Sequence, residues 1–483
     1  MTFALEEAER EAFIDLLLQV SAETGPLGGF FSRDASIGVA RAPGRLDVMG
    51  GIADYSGSLV LQFPLREAAC AAAQLHADAD LWVASVDPAA PHAVRQLRLP
   101  IEPLRAASHA EAAKYLRDSA PEWARYLCGL VVPLVRELGH ELRGGVRIVV
   151  ASRVPEGKGI SSSAAIEVAG LMALAAAADI VLDPCECALS CQRVENLVVG
   201  APCGVMDQMT AACGRSGELV ELLCQPASLL GSRPVPAELG LFGIDSGVRH
   251  AVTGRDYGAV RVATFMGYRM LSARLGFEAE LDQSGRVAVD DTRFGGYLAN
   301  VTPSELDSEF RDTLPERLSG AEFLDRFLGI SDSVTHVDPG VTYSVRAATE
   351  HPIREHHRVR AFAELLSAAV SERSCRLLGE LMYQSHASYS ACGLGADATD
   401  RLVRLVREAG VDAGLYGAKI TGGGSGGTLA VLARADAEAA VESVAHRFAA
   451  EVGSPVQVFS GSSAGGGQFG AVKLRGSALA PRI

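Results

Sequence analysis

Basic residues are scarce in this chain. Its 483 residues include 44 Lys and Arg against 58 Asp and Glu, so the formal net charge is −14. Nucleic acids and anionic membranes bind proteins mainly through dense clusters of Lys and Arg, and the sequence contains no such cluster. We therefore expect neither a nucleic-acid partner nor a membrane partner. A phosphorylated ligand would need a local binding loop, because the charge of the whole chain repels it.

Long apolar runs are also missing. The longest, Gly170 to Leu182, is too short to cross a bilayer and indicates a core helix. Met1 to Val20 has the pattern of an acidic amphipathic helix, without the basic region and the small-residue cleavage site of a signal peptide. These two observations predict a soluble protein, which we expect in the cytoplasm.

The ten cysteines form no recognisable pattern. Cys185, Cys187 and Cys191 lie close together, but no fourth ligand follows at the spacing of a zinc site. Core positions or plain thiols explain these three residues better than a metal site does. Reduced thiols agree with an intracellular compartment.

The chain does contain enough apolar material for a large core, because 48% of its residues are hydrophobic and 21% are charged. Its length exceeds the usual size of one domain. Strands alternate with helices, which predicts an α+β chain with two lobes and a ligand cleft between them. We expect an N-terminal lobe of residues 1–236 and a C-terminal lobe of residues 237–483, with a loop-rich insertion near residues 276–343.

Hydrophobic patterning places individual elements within these lobes. Strands are predicted at Leu59 to Leu65, Leu81 to Val86, Val146 to Ala151, Leu239 to Asp245 and Thr428 to Leu432. Helices are predicted at Ala164 to Ala176, Val260 to Leu275, Arg358 to Val370 and Ala396 to Glu408.

Three glycine-rich stretches stand out, at Arg41 to Tyr55, Pro155 to Ala165 and Thr421 to Thr428. The second lies between a predicted strand and a predicted helix. Backbone N–H groups at a helix N-terminus bind anions, because they lack partners within the helix. The stretch is not a Walker loop, since Gly159 rather than Ser or Thr follows Lys158. Taken alone, it fits a phosphate site and a capped helix with a flexible lead-in equally well.

In this order, the three stretches resemble the three motifs of the GHMP small-molecule kinases, in particular their galactokinase-like branch. The resemblance extends from about Ile37 to Leu474. It implies a two-lobed α+β fold with mixed sheets, an active site in the cleft between the lobes, and a kinase that uses ATP and Mg²⁺. It also implies that the nucleotide contacts the second and third stretches, through Gly157, Lys158, Gly159, Ser161, Ser162, Ser163, Gly423 and Gly424.

An acidic pair follows the second stretch. Glu195 precedes Asp207 by twelve residues, and Asp207 belongs to the sequence Pro-Cys-Gly-Val-Met-Asp-Gln at 202–208. By resemblance to galactokinases, Ser163 and Glu195 are the Mg²⁺ ligands, which suits an ion that takes few protein ligands besides phosphate oxygens. Asp207 then faces the attacking sugar hydroxyl, and either removes its proton or orients it. The same resemblance places Arg45 near the transferred phosphoryl group, a role that suits its permanent planar charge.

The first stretch differs from galactokinases at the sugar. Where that family reads Gly-Glu-His-Thr-Asp-Tyr, this chain has Gly-Gly-Ile-Ala-Asp-Tyr at 50–55. Gly51 and Ile52 thus replace a polar pair that faces galactose hydroxyls, including the exocyclic one. L-Arabinopyranose is galactose without the exocyclic CH₂OH. The stretch therefore resembles the kinase portion of L-arabinokinases more closely, and implies that L-arabinose is phosphorylated at its anomeric hydroxyl.

The other sugar contacts follow from the same resemblance. Asp54 is expected to accept hydrogen bonds from adjacent ring hydroxyls, Gly204 to contribute backbone to the pocket, and Tyr257 to contact the sugar. Galactokinase activity remains an alternative, because an apolar pocket rejects one extra group by only about 10–200-fold. A non-catalytic sugar and ATP sensor fits less well, since all four residues expected to act in the reaction are present. The sequence predicts no oligomeric state.

Overall fold

A computed structural model describes residues 2–22, 24–248, 255–282, 286–368 and 370–476 of the chain. Its strands are β1 (Ser36–Met49), β2 (Leu59–His76), β3 (Asp80–Asp87), β4 (Ala90–Pro100), β5 (Gly145–Ser152), β6 (Glu218–Leu223), β7 (Ser228–Pro234), β8 (Leu239–Asp245), β9 (Ala279–Leu281), β10 (Val287–Val289), β11 (Leu318–Ser319), β12 (Thr342–Tyr343), β13 (Leu415–Ile420), β14 (Thr428–Arg434), β15 (Val458–Ser460) and β16 (Val472–Arg475). Its helices are α1 (Thr2–Ser21), α2 (His109–Ser119), α3 (Glu122–Gly129), α4 (Val131–Arg136), α5 (Ser162–Ala177), α6 (Pro184–Val194), α7 (Met206–Cys213), α8 (Arg255–Arg274), α9 (Pro303–Glu305), α10 (Gly320–Phe327), α11 (Val345–Ser367), α12 (Glu372–Ala391), α13 (Asp397–Ala409), α14 (Glu438–Val452) and α15 (Gly466–Phe469). Among the described residues, no helix has the length and hydropathy needed to span a membrane.

The larger sheet is organised around β2, which is long enough to pair with β6 over its first half and with β5 over its second half. The strand order is β16-β1-β2-β5-β3-β4, with β6 and β7 continuing from β2. Within the described residues, β3 and β5 are the one parallel pair in this order. Helix α5 packs on β1 and β2. It consists largely of small and apolar residues, and such a helix is stable when buried on nearly all sides. The glycine-rich loop before α5 is thereby held beside β1.

The smaller sheet is antiparallel, in the order β13-β14-β8-β15. Helices α13 and α14 cover one face with apolar side chains, among them Leu402, Val406, Val441 and Phe448. The third glycine-rich stretch forms the connection between β13 and β14. A hairpin of the smaller sheet therefore carries it.

The two sheets share a hydrophobic core. Leu46 and Val48 of β1 pack in one cluster with Leu241 of β8, Leu432 of β14 and Phe362 of α11. Because these elements touch, the first and third glycine-rich stretches and the loop before α5 lie at one place between the sheets.

The segment 276–343 consists of short strands and helices joined by loops. Its apolar side chains, such as Phe310 and Phe323, pack with Met266 of α8 and Val345 of α11. The division into lobes at residue 236 stays a prediction. The last described strand, β16, returns to the larger sheet and pairs with β1.

The mixed sheets and helices confirm the predicted α+β class. Strand β8 has the predicted bounds. Strand β2 extends well beyond the predicted end at Leu65. The prediction stopped there because the alanines that follow have low strand propensity. The helix predicted from Arg358 begins at Val345 instead. The prediction began too late because Pro352, inside the helix, weakens the helical pattern of the residues before Arg358.

Candidate active site

The loop between β5 and α5 is held through its carbonyl oxygens. The hydroxyl of Thr428 donates to the carbonyl of Lys158 at 2.8 Å. The backbone N–H of Arg45 donates to the carbonyl of Ile160 at 3.1 Å, and its guanidinium donates to that of Gly159 at 2.7 Å. These contacts fix the backbone of the loop beside the first turn of α5. The N–H groups of that turn lack partners within the helix, so they can donate to an anion in the cleft.

Asp207, in the first turn of α7, is held by Arg45. Nε and Nη2 of Arg45 both donate to Oδ1 of Asp207, at 2.9 and 2.7 Å. Oγ of Ser161 donates to Oδ2 at 2.5 Å. The Asp207 side chain is still 20% exposed, so a substrate can reach it. The structure thus brings together Asp207, Arg45 and Ser161, three residues that the sequence placed in the site.

Glu195 lies in a buried acidic cluster beside Ser163. Its carboxylate accepts a hydrogen bond from Nε2 of Gln208 at 2.5 Å. Burial, and then the nearby Asp207 carboxylate, raise the pKa of Glu195 to about 7. Glu167 lies one turn after Ser163 on α5, and burial followed by the charge of Glu195 raises its pKa well above the ordinary value. A cation bound here would relieve this crowding of carboxylates.

Asp54 is a buried carboxylate with unused acceptor capacity. It is 3% exposed, and no side chain of the described residues donates a hydrogen bond to its carboxylate oxygens. A Cβ on Gly204 would lie 1.6 Å from Oδ2, so only glycine fits beside this group. Burial, and then Asp207, raise the pKa of Asp54 to about 6, while Arg261 acts to lower it. Hydroxyl groups of a ligand would satisfy these oxygens.

The two residues that distinguish the first stretch have different surroundings. Ile52 lines the cleft and has φ 52°, a left-handed conformation that is unfavourable for a β-branched residue. Such strain persists at functional sites when the surroundings enforce it. Gly51 instead faces the protein, since a Cβ there would lie 1.9 Å from the Tyr389 hydroxyl and 2.1 Å from Oδ2 of Asp47. A glutamate at position 51 would displace both groups, so Ile52 rather than Gly51 shapes the cleft.

Most of the predicted site residues line one cleft of about 130 Å³. They are Arg45, Ile52, Asp54, Gly157, Gly159, Ser161, Ser162, Ser163, Glu195, Gly204, Asp207, Tyr257 and Gly423. Within the described part of the chain, Gly51, Lys158 and Gly424 are not part of this lining. Nζ of Lys158 donates to Oδ2 of Asp245 at 2.6 Å, and a Cβ on Gly424 would meet Leu394 at 2.7 Å. The contacts predicted for these three residues stay predictions.

Sequence reasoning missed a second cavity, of about 350 Å³, which adjoins the cleft. The two share Gly157, Ser162 and Ser163, and Trp123 and Tyr126 of α3 line the second one. The guanidinium of Arg95 lies 5.3 Å from the centre of the Trp123 ring. The available signal was Trp123 itself, one of two tryptophans in the chain, because aromatic rings often line ligand pockets.

A buried ion pair, also missed, joins the first stretch to β13, the strand that leads into the third stretch. Nζ of Lys419 donates to Oδ2 of Asp47 at 2.6 Å, and both side chains are 0% exposed. The hydroxyl of Tyr389 lies 3.2 Å from the same oxygen and 3.0 Å from the carbonyl of Gly422. The backbone N–H of Asp47 donates to Oγ1 of Thr421 at 2.6 Å. This network fixes the third stretch against the strand that carries the first.

Comparison with known families gives three matches. The GHMP kinases N terminal domain matches residues 125–215, and the GHMP kinases C terminal domain matches residues 365–450. The galactokinase galactose-binding signature matches residues 29–75, which contain the first glycine-rich stretch. The matches thus cover the first stretch, the second stretch with the acidic pair Glu195 and Asp207, and the third stretch.

Individual proteins similar to this chain are also sugar kinases. The chain is 41% identical to L-arabinokinase of Arabidopsis thaliana over 93% of its own length, and spans about half (48%) of that protein. It is 30% identical to galactokinase of Streptomyces coelicolor, with 86% of this chain and 89% of that protein covered. Among solved structures, galactokinase of Lactococcus lactis complexed with galactose superposes with a TM-score of 0.70 at 19% identity, covering 97% of this chain and 100% of the other.

Proposed function

Since the chain belongs to the GHMP kinases, as its three glycine-rich stretches predicted, we propose that it phosphorylates L-arabinose with ATP, giving L-arabinose 1-phosphate and ADP. Identity to the plant L-arabinokinase supports the sugar. The observation that carries the choice is Ile52, an apolar side chain held in the cleft where galactokinases have a polar group. A pentopyranose places no hydroxymethyl group against it.

In this proposal, the sugar lies between Asp54 and Asp207. The free acceptor sites of Asp54 bind two adjacent ring hydroxyls. The anomeric oxygen forms a bond to the terminal phosphorus of ATP, and the bond from that phosphorus to the bridging oxygen of ADP breaks. Asp207 either takes the proton of the anomeric hydroxyl or aligns that hydroxyl for attack. Arg45 holds Asp207 in place and contributes positive charge beside the transferred group.

Ser163 and Glu195 fit a magnesium ion. Among the described residues, no group of three or more His, Cys, Asp or Glu could hold a metal by itself. Mg²⁺ suits such a site, because it takes one or two carboxylates and completes its shell with phosphate oxygens and water. Burial, and then the Asp207 carboxylate, raise the pKa of Glu195, so a bound cation would favour its charged form. When bound, the ion would neutralise charge on the nucleotide phosphates.

The cavity beside Trp123 and Tyr126 is the proposed place of the nucleotide base. It adjoins the cleft at Ser162 and Ser163, so a nucleotide can have its phosphates at the start of α5 and its base in the second cavity. Aromatic rings provide flat apolar area against which a base can pack. This arrangement leaves the side of the cleft at Asp54 to the sugar.

Galactokinase is the second candidate. The galactose-binding signature and the relative in Streptomyces coelicolor favour it. The two candidates differ at a single feature of the cleft, namely whether the exocyclic hydroxymethyl group finds space and a hydrogen-bond partner beside Ile52.

We expect the wild-type enzyme to have a higher kcat/KM for L-arabinose than for D-galactose. A buried hydroxyl without a partner costs about 1–3 kcal/mol, which corresponds to roughly one to two decades in kcat/KM. A coupled ADP-release assay with both sugars, and with D-fucose as a methyl analogue, measures the preference. Ile52→Ala, which removes side-chain bulk from the cleft, should narrow it. A wild-type preference for D-galactose would leave only the broader assignment of a sugar 1-kinase.

Glu195→Gln should raise the magnesium concentration needed for half-maximal activity by at least about tenfold. The variant keeps the shape and loses the charge, so sugar binding should change little. Titration of activity against Mg²⁺ tests this. Glu141→Gln is the matched control, since Glu141 is a 75% exposed carboxylate that lines neither cavity. An unchanged magnesium midpoint would remove Glu195 from the metal site.

A further inference from the structure

The segment 276–343 contributes a buried charge near the sugar side of the cleft. Asp332 is 4% exposed and accepts two parallel hydrogen bonds, both 2.8 Å long, from the guanidinium of Arg261 in α8. The hydroxyl of Thr335 donates to the same carboxylate at 2.6 Å. Burial acts to raise the pKa of Asp332, but the hydrogen bonds and charge of Arg261 hold it below the ordinary value. The paired contact fixes the plane of the guanidinium.

The remaining nitrogen of that guanidinium reaches the loop before α7. Nη1 of Arg261 donates to the carbonyl of Cys203 at 3.2 Å. Nδ2 of Asn196 donates to the same carbonyl at 3.1 Å, and the N–H of Cys203 donates back to Oδ1 of Asn196 at 2.8 Å. The peptide between Cys203 and Gly204 is therefore held from two directions.

That peptide is one wall of the sugar site. Gly204 touches the carboxylate of Asp54 so closely that no Cβ would fit, and the Arg261 guanidinium lies 5.2 Å from the ring centre of Tyr55, the residue after Asp54. Arg261 thus contacts a neighbour of each group that faces the sugar, namely Cys203 beside Gly204 and Tyr55 beside Asp54. A cavity of about 630 Å³ on the insertion side is lined by Asp54, Gly204, Arg261 and Asp332 together.

We propose that Arg261 and Asp332 are positioning residues for the sugar. The insertion, through Asp332, orients Arg261, and Arg261 sets the separation between Asp54 and the backbone at 203–204. This pair determines sugar affinity without contacting the nucleotide, whose proposed cavity is lined by other residues. The inference rests on the proposed function, because it takes Asp54 to be the sugar-binding carboxylate.

The test is Asp332→Asn in the full-length protein. Its amide group cannot accept both bonds from Arg261, so we expect the Kd and the KM for L-arabinose to rise roughly tenfold, with the KM for ATP changed less than about twofold. Thr335→Val removes one donor to Asp332 and should shift the sugar Kd in the same direction by less. Glu309→Gln is the matched control, because it breaks a more exposed ion pair, with Arg293, in the same segment.

Calorimetric titration with L-arabinose and with ADP separates the outcomes. An unchanged sugar Kd in Asp332→Asn would overturn the proposal. An equal loss of sugar and ADP affinity would overturn it too, because that pattern indicates general damage. Sugar binding is measured without turnover, so a wild-type protein that binds the sugar but releases no ADP refutes the proposed function and leaves this test intact.

Discussion

Asp207→Asn is expected to lower kcat by at least about 100-fold, the usual contribution of a positioned base. Asparagine keeps the shape of the site. Its Oδ1 can accept the same two bonds from Arg45, and its amide can donate to Oγ of Ser161, which reverses the present bond. What it loses is the negative charge and the ability to take a proton from the anomeric hydroxyl. Affinities for sugar and nucleotide should therefore change little.

Saturating ADP-release kinetics give kcat for this variant, and calorimetry gives the two Kd values. Thermal unfolding of wild type and variant serves as the control for folding, since the bonds to Arg45 also stabilise α7. If Asp207→Asn keeps more than about a tenth of the wild-type kcat, the base or orienting role is wrong. A large loss confined to kcat would support it.

The parts of the site that the sequence predicted are those formed by short local motifs. The loop before α5, the sequence at 202–208 and the first stretch each carry their chemistry within about a dozen residues. Ten of the residues predicted from them line one cleft. Local spacing sufficed because a strand, a loop and a helix N-terminus have nearly fixed geometry.

The missed features depend on contacts between distant parts of the chain. Lys419 lies 372 residues after Asp47, and Asp332 lies 71 residues after Arg261. No periodicity or motif links such pairs in a single sequence. The conflict at Gly51 was missed for the same reason, because its neighbour Tyr389 comes from α12. Sequence patterns indicated what each stretch could bind, and tertiary packing decided which atoms face the cleft.

Lys419→Met should destabilise the protein by about 3–5 kcal/mol, the typical cost of removing one partner of a buried ion pair. Methionine fills much of the space but leaves the Asp47 carboxylate without a counter-charge. Gln62 still donates to Oδ1 of Asp47 at 2.8 Å, which satisfies one oxygen and does not neutralise the group. Urea unfolding followed by fluorescence and by circular dichroism measures the loss.

Two further variants identify the cause of the stability loss in Lys419→Met. Lys473→Met breaks an ion pair with Asp179 in which the two side chains are 37% and 77% exposed, so it should cost less than about 1 kcal/mol. Combining Lys419→Met with Asp47→Asn removes the isolated charge and should recover part of the stability, a non-additive result expected for residues in direct contact.

Because the pair fixes the third stretch against β1, the single variant should also weaken nucleotide binding at temperatures where it is folded. If Lys419→Met costs no more than Lys473→Met, the buried pair does not hold the two stretches together.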